Sequence, residues 1–205
     1  MTEWRLFPPG TVPNFSTPEF FATHSWVPPH GQVGHKERTA MVADLIAEHC
    51  GDAQTLCDLG CGDGSLLVAL RGLPLTTWGY DAGAQNVRVA LAAGLDVSRC
   101  DFLTEPVELG DIVVMSEVLE HLVDPHSFLA GMAATKLVAS SPSSETGDWH
   151  YRHHAWAWDE AGYRALLEGA GWAVVEQRTC YGGINVHGGR HGEQHFQAII
   201  AERPQ

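Results

Sequence analysis

The sequence of 205 residues has no apolar run long enough to cross a membrane. A spanning helix needs about 20 consecutive, mostly apolar residues, and no stretch here approaches that length. The first residues, MTEWRLFPPG, also lack the basic and then apolar pattern of a secretory signal. We therefore expect a cytoplasmic protein without a membrane partner, whose 44% of hydrophobic residues can form the core of one domain.

Basic residues are scarce: there are 12 Lys and Arg against 25 Asp and Glu, which gives a formal net charge of −13. Nucleic-acid binding depends on Lys and Arg displacing the counterions of phosphates, and none of the basic residues form a run. A nucleic-acid partner is therefore not expected, and a small-molecule partner is favoured. Oligomerisation is compatible with the sequence.

The five cysteines form no CxxC pair and no zinc-type spacing. Their odd number and scattered positions favour reduced thiols in a reducing compartment. Cys57 and Cys61 border a glycine-rich segment, where small packing residues are expected rather than nucleophiles.

Residues 1–37 differ from the remainder because they combine many prolines with aromatic residues. We predict an irregular N-terminal arm that is packed on the protein, since a disordered segment would lack such aromatics. Residues 38–205 form the predicted domain. Its buried strands alternate with helices, which indicates βαβ units and a mostly parallel sheet. The predicted strands are 55–59, 76–81, 96–102, 111–116, 136–141, 172–177 and 195–202, and the predicted helices after the first are 65–70, 87–94, 124–134 and 159–171.

Candidate ligand-binding residues follow the predicted strands, where open parallel sheets bind their ligands. The first strand leads into a glycine loop whose backbone a ligand can approach closely. Its third glycine comes one residue too early for the GxGxxG dinucleotide pattern, which disfavours a nicotinamide cofactor. Acidic residues at successive strand ends can accept hydrogen bonds from ribose hydroxyls or an exocyclic amine. The candidates are Asp58, Gly60, Cys61, Gly62, Asp81, Asp101, Phe102, Ser116 and Glu117.

These motifs resemble the class I S-adenosylmethionine-dependent methyltransferases, including the ubiquinone-biosynthesis type. The resemblance covers about residues 38–202 and is carried by CDLGCGDG, WGYD, CDF and DIVVMSEVLEHLVDP. It implies a Rossmann-like, doubly wound α/β fold with a seven-stranded, mostly parallel sheet and an antiparallel last strand. It also implies that S-adenosylmethionine is the cofactor and S-adenosylhomocysteine the product. Asp58 and the glycines would lie at the methionine end, Asp81 at the ribose, Asp101 and Phe102 at the adenine, and Ser116 and Glu117 beside the sulfonium.

The segment SEVLEHL poses the question of a metal site. Small-RNA 2′-O-methyltransferases of the same superfamily hold a divalent ion with residues matching Glu117, Glu120, His121 and His154. Metal-free relatives also carry Glu-x-x-Glu-His, however, and the Phe-Glu-Trp of the RNA enzymes is Trp156-Ala157-Trp158 here. We therefore expect no metal and predict that this segment forms the lip of the cofactor pocket.

The predicted function is methyl transfer to an O, N or C atom of a small or medium-sized acceptor, with His121 and His154 as candidate general bases. The alternatives are a metal-dependent 2′-O-methyltransferase of RNA or nucleotides and a non-catalytic adenosyl-ligand binder. Phe20, Phe21, Trp26 and His30 in the arm are candidates for a substrate wall and, equally, for simple packing anchors. We expect His187, His191 and His195 to lie in a glycine-rich loop between the last two strands.

Overall fold

The computed structural model describes residues 2–23, 33–187 and 190–204. Trp26 and His30 lie outside these residues, as do the side chains of His187 and His191. The strands are β1 Glu3–Arg5, β2 Thr55–Leu59, β3 Thr76–Asp81, β4 Val97–Arg99, β5 Ile112–Ser116, β6 Lys136–Pro142, β7 Trp156–Trp158, β8 Ala173–His187 and β9 Arg190–Glu202. The α-helices are α1 Pro18–Thr23, α2 Val33–His49, α3 Ser65–Ala69, α4 Ala84–Ala92, α5 Pro125–Gly131 and α6 Glu160–Gly169.

Seven strands form one sheet in the order β4-β3-β2-β5-β6-β9-β8. The pairs from β4 to β6 are parallel, and β9 runs antiparallel to both of its neighbours. The predicted fold class is thereby confirmed. Strand order reverses between β2 and β5, so the crevice at their carboxyl ends is where such a sheet binds a ligand.

The central strands are apolar on both faces because helices cover both sides of the sheet. Side chains alternate between the two faces, so Met115 and Leu137 pack with α5 and α6 while Val114 and Val138 pack with α2 and α3. Strands held in this way position the residues that follow them.

Local sequence signals account for several helix ends. Asp159 is the predicted N-cap of α6, and its side chain accepts a hydrogen bond from the Gly162 amide at 2.6 Å. Asp124 caps α5 in the same way through the Ser127 amide. Helix α2 starts at Val33, within the segment assigned to the arm. None of the helices described is long and apolar enough to cross a membrane.

The prediction of a glycine-rich loop at residues 180–195 was wrong, because these residues continue β8 and β9 as a hairpin. The pairing register shifts between Tyr181 and Gly183, where Gly183 has a φ of 97°. A Cβ atom on Gly182 would lie 2.4 Å from Cε2 of Phe196. The glycines therefore permit a bulge and close packing within a strand.

A second, two-stranded sheet was not predicted. Strand β1 pairs antiparallel with β7, and Trp158 donates a hydrogen bond from Nε1 to Oε2 of Glu3 at 2.7 Å. Further along the arm, the ring of Phe20 lies 5.1 Å from that of His153, between centroids. Three-residue strands are too short to show a period in the sequence.

Candidate active site

The glycine loop after β2 folds tightly against the ends of β3 and β5. The amides of Gly60 and Cys61 donate to the Tyr80 carbonyl at 2.8 and 3.0 Å. Gly60 has a φ of 80°, and a Cβ atom there would lie 2.6 Å from Cγ2 of Val118. Both the backbone conformation and the packing therefore require glycine at this position.

Asp81, at the end of β3, anchors this loop. One carboxylate oxygen accepts from the Gly62 amide at 2.9 Å, and the other accepts from the Gly83 amide at 2.7 Å and from Nδ2 of Asn86 at 3.0 Å. Burial raises the pKa of Asp81, and these three hydrogen bonds oppose that change. A carboxylate offers about four acceptor positions, so Asp81 retains room for another donor.

Asp58 lies near the end of β2 and is 2% exposed. Among the described residues, its Oδ1 atom has no hydrogen-bond partner. Burial, followed by the charge of Asp81, raises the pKa of Asp58 to about 7. A buried acceptor without a partner is costly unless a ligand supplies the donor, so this oxygen fits the ammonium group of an amino acid ligand.

Asp101 and Phe102 follow β4, which ends at Arg99, three residues before the end of the predicted strand. The Asp101 carboxylate accepts from the Leu103 amide at 3.2 Å and from the Thr104 hydroxyl at 3.0 Å. The Phe102 ring packs on Phe128 with centroids 6.0 Å apart. This turn presents both side chains to the ligand crevice.

A chain of polar contacts crosses the ends of β5 and β6. The hydroxyls of Ser116 and Ser140 lie 2.9 Å apart, and Ser140 donates to Oε1 of Glu117 at 2.9 Å. Nη1 of Arg38 lies 3.5 Å from the other Glu117 oxygen. Glu117 has a φ of 59°, in the left-handed region that costs a non-glycine residue energy and is common at functional sites. Burial raises its pKa to about 7, against the lowering effect of Arg38.

The residues after β5 come together with the loop before β7. One ligand atom from each of Glu120, His121 and His154 lies within 4.8 Å of the other two. Neither oxygen of the fully buried Glu120 carboxylate has a hydrogen-bond partner in the part of the chain described. Burial and the neighbouring Glu117 raise its pKa well above the ordinary value. Nδ1 of His154 lies 2.6 Å from Oε2 of Glu145.

One cavity of about 610 Å³ connects these groups, a size typical of small-molecule sites. It is lined by all eleven predicted cofactor and catalytic residues, namely Asp58, Gly60, Cys61, Gly62, Asp81, Asp101, Phe102, Ser116, Glu117, His121 and His154. Phe21 of the arm also lines it, with its ring 6.4 Å from that of His121. Burial raises the pKa of the Cys61 thiol well above its usual range, which fits a packing role.

A family model described as a methyltransferase domain matches residues 34–177. The chain belongs to this family. The resemblance inferred from the motifs is thus confirmed. The ubiquinone biosynthesis O-methyltransferase of Methylobacterium nodulans is 35% identical over 109 residues, which cover 45% of this chain and 44% of that protein. The chain spans about half the length of the curated relatives that it matches. It covers 44% of the Methylobacterium nodulans protein and 54% of the Chelativorans protein of the same name.

Solved structures support the fold. The magnesium protoporphyrin IX methyltransferase of Synechocystis, crystallised with bound S-adenosylhomocysteine, matches with a TM-score of 0.62 and 18% identity over 84% of each chain. The [4+2]-cyclase SpnF matches with a TM-score of 0.61 and 16% identity, over 80% of this chain and 81% of that chain. Because SpnF is described by a different activity, fold likeness alone does not identify the reaction.

The charged residues at the site that were not predicted include Arg38 and Glu145. Arg38 lines the cavity from α2, and Glu145 is 1% exposed behind His154. Helical spacing does not distinguish Arg38 from the other basic residues of its segment. Glu145 lies in the polar stretch SPSSETGD, whose fold depends on contacts distant in sequence.

Proposed function

We propose that the protein transfers the methyl group of S-adenosylmethionine to a small or medium-sized acceptor. The observation that carries this proposal is the single cavity that joins the glycine loop, the acidic strand ends and two histidines. The methyltransferase-domain match supports it independently. A cytoplasmic location belongs to the same proposal, because all five cysteines are free thiols.

The charges in the cavity suit an adenosyl cofactor. Its methionine end carries an ammonium, which the unpartnered oxygen of Asp58 would bind, and a carboxylate, for which Arg38 is the nearby cation. Asp81 would accept from the ribose, and Asp101 and Phe102 would border the adenine. The carboxylates of Asp58 and Glu117 would stabilise the positive sulfonium, whose methyl group is the electrophile.

The protein has two tasks in such a displacement, namely to orient the acceptor and to receive its proton. Nδ1 of His121 lies 2.9 Å from the carbonyl oxygen of His153. A carbonyl only accepts hydrogen bonds, so Nδ1 carries the proton and Nε2 is the basic nitrogen of His121. Nε2 of His121 would then serve as the base for an acceptor hydroxyl, beside the ring of Phe21.

The test is an incubation with methyl-labelled S-adenosylmethionine and a panel of phenols, carboxylic acids and amines. We expect label transfer to one acceptor class, and at least a tenfold loss of turnover in His121→Ala or His154→Ala, within the usual range for a general base. Full turnover in both variants would contradict their role as bases. Absence of S-adenosylmethionine binding by the folded protein would overturn the proposed function itself.

A second candidate is favoured by the cluster at Glu120: a divalent ion that binds the hydroxyls of a ribose-type acceptor. Two unpartnered carboxylate oxygens next to two imidazoles form a donor set suited to manganese or a similar ion. Such an ion would compensate the buried charge of Glu120. Glu117, the fourth residue of the set implied by the resemblance, contacts Ser140 and Arg38 instead.

Mn²⁺ titration monitored by electron paramagnetic resonance distinguishes the two candidates. For the metal-assisted reaction, we expect one tight site that Glu120→Gln weakens at least tenfold. The matched control is Glu48→Gln. Glu48 forms a similar group with His49 and Glu176, but these side chains are exposed or half-buried and should bind Mn²⁺ only weakly. A protein that binds no Mn²⁺ would exclude the second candidate and leave Glu120 as a neutral buried acid.

A further inference from the structure

The loop between β6 and β7 holds a buried carboxylate directly behind a histidine of the cavity. Glu145 is 1% exposed, and its Oε2 atom lies 2.6 Å from Nδ1 of His154. Its other oxygen accepts from the Tyr151 amide at 3.1 Å. The carboxylate is thus fixed at both oxygens.

The backbone around this pair is also fixed. The His154 amide donates to the Tyr151 carbonyl at 3.0 Å, and the Ala155 amide donates to the Glu120 carbonyl at 2.6 Å. The His154 ring packs edge-on against His121 at 4.8 Å and against Tyr151 at 5.2 Å, between centroids. Rotation of the imidazole would break the contact with Glu145 and displace both ring contacts.

We propose that Glu145 is a positioning residue of the site: it holds the proton of His154 on Nδ1 and so leaves the basic lone pair of the neutral ring on Nε2. A carboxylate accepts hydrogen bonds, so a short contact to Nδ1 selects the tautomer with its proton on that atom. The same arrangement serves a general base or a metal ligand, since a carboxylate behind such a histidine commonly accepts its other ring N–H and orients the ring. This inference rests on the proposed function for its effect on turnover, but its structural part does not.

The structural part is tested by nitrogen-15 NMR of histidine-labelled protein with S-adenosylhomocysteine, at a pH where the ring is neutral. The His154 signals are assigned by their loss in His154→Gln. We expect the Nδ1–H tautomer in the wild type and a gain of the Nε2–H tautomer in Glu145→Gln, because the amide group can donate to Nδ1. An unchanged His154 tautomer in Glu145→Gln would overturn the inference.

Turnover with the acceptor found in the panel gives the functional part. We expect Glu145→Gln to lower kcat about 10- to 100-fold at nearly unchanged KM, which is typical of residues that orient a site from behind. Glu145→Asp retains the carboxylate and should recover part of the loss. The matched control is Glu176→Gln. Glu176 also contacts a histidine, with its Oε2 atom 2.7 Å from Nε2 of His49, but it does not line the cavity. This variant should therefore leave kcat unchanged. An equal kcat in Glu145→Gln and the wild type would also overturn the inference.

Failure of the proposed function gives a different pattern. A protein that transfers no methyl group would still show the tautomer change in Glu145→Gln. Conversely, a protein that transfers methyl with an unchanged tautomer would refute the role of Glu145 alone. Binding of S-adenosylhomocysteine should be equal in the wild type and Glu145→Gln, which shows that the variant is folded.

Discussion

The buried carboxylate of Asp58 should make the ligand-free protein less stable as the pH rises. Its pKa is about 7 in the folded protein, against 3.8 in the absence of burial. Below pH 3.8 the Asp58 carboxyl group is protonated in both the folded and the unfolded state. Between the two values the folded state retains a proton that the unfolded state has lost, so the free energy of unfolding falls with pH. At 1.36 kcal/mol per pKa unit, the total loss is about 4 kcal/mol, of which about 2.5 kcal/mol falls between pH 5 and pH 8.

The variant Asp58→Asn removes this titration and keeps the shape of the side chain. We expect its free energy of unfolding, relative to the wild type, to increase by about 2.5 kcal/mol from pH 5 to pH 8. Asp81 and Glu117 also have raised pKa values but are present in both proteins, so the difference isolates Asp58. Urea denaturation followed by tryptophan fluorescence measures it, with the exposed Asp44→Asn as control. The same pH slope in the wild type and Asp58→Asn would refute the reasoning.

Three further substitutions test the cavity. Asp81→Ala leaves the donors of three hydrogen bonds without their acceptor, so we expect a loss of about 2–4 kcal/mol of stability and weaker binding of S-adenosylhomocysteine; unchanged stability would contradict the anchoring role. Gly60→Ala places a Cβ atom 2.6 Å from Val118 and should lower the urea midpoint; a wild-type midpoint would show that the loop relaxes freely. Arg38→Met should weaken S-adenosylhomocysteine at least tenfold by calorimetry, whereas the exposed Arg88→Met should not; equal affinities would refute the carboxylate contact.

The site was largely predictable because it depends on strand ends. Buried apolar runs identify parallel strands, and the carboxyl ends of such strands converge on one edge of the sheet. Asp58, Asp81 and Glu117 therefore meet in space although they are distant in sequence. The prediction does not need exact strand bounds: Asp101 still borders the cavity although β4 ends at Arg99.

What was missed depends on contacts between distant segments. The position of Glu145 follows from hydrogen bonds within a loop of thirteen residues between β6 and β7, which has no periodic signal. The hairpin of β8 and β9 was mistaken for a loop because glycine is typical of both turns and bulges. Only the ring of Phe196 shows that Gly182 serves close packing. Pairing of β1 with β7 likewise joins two segments about 150 residues apart.

The central claim is that this cavity binds an adenosyl cofactor through protein groups alone. A calorimetric titration of S-adenosylhomocysteine into chelator-treated protein tests it most directly. The account predicts one-to-one binding with a micromolar dissociation constant. Absence of heat and of binding by folded, chelator-treated protein would contradict it.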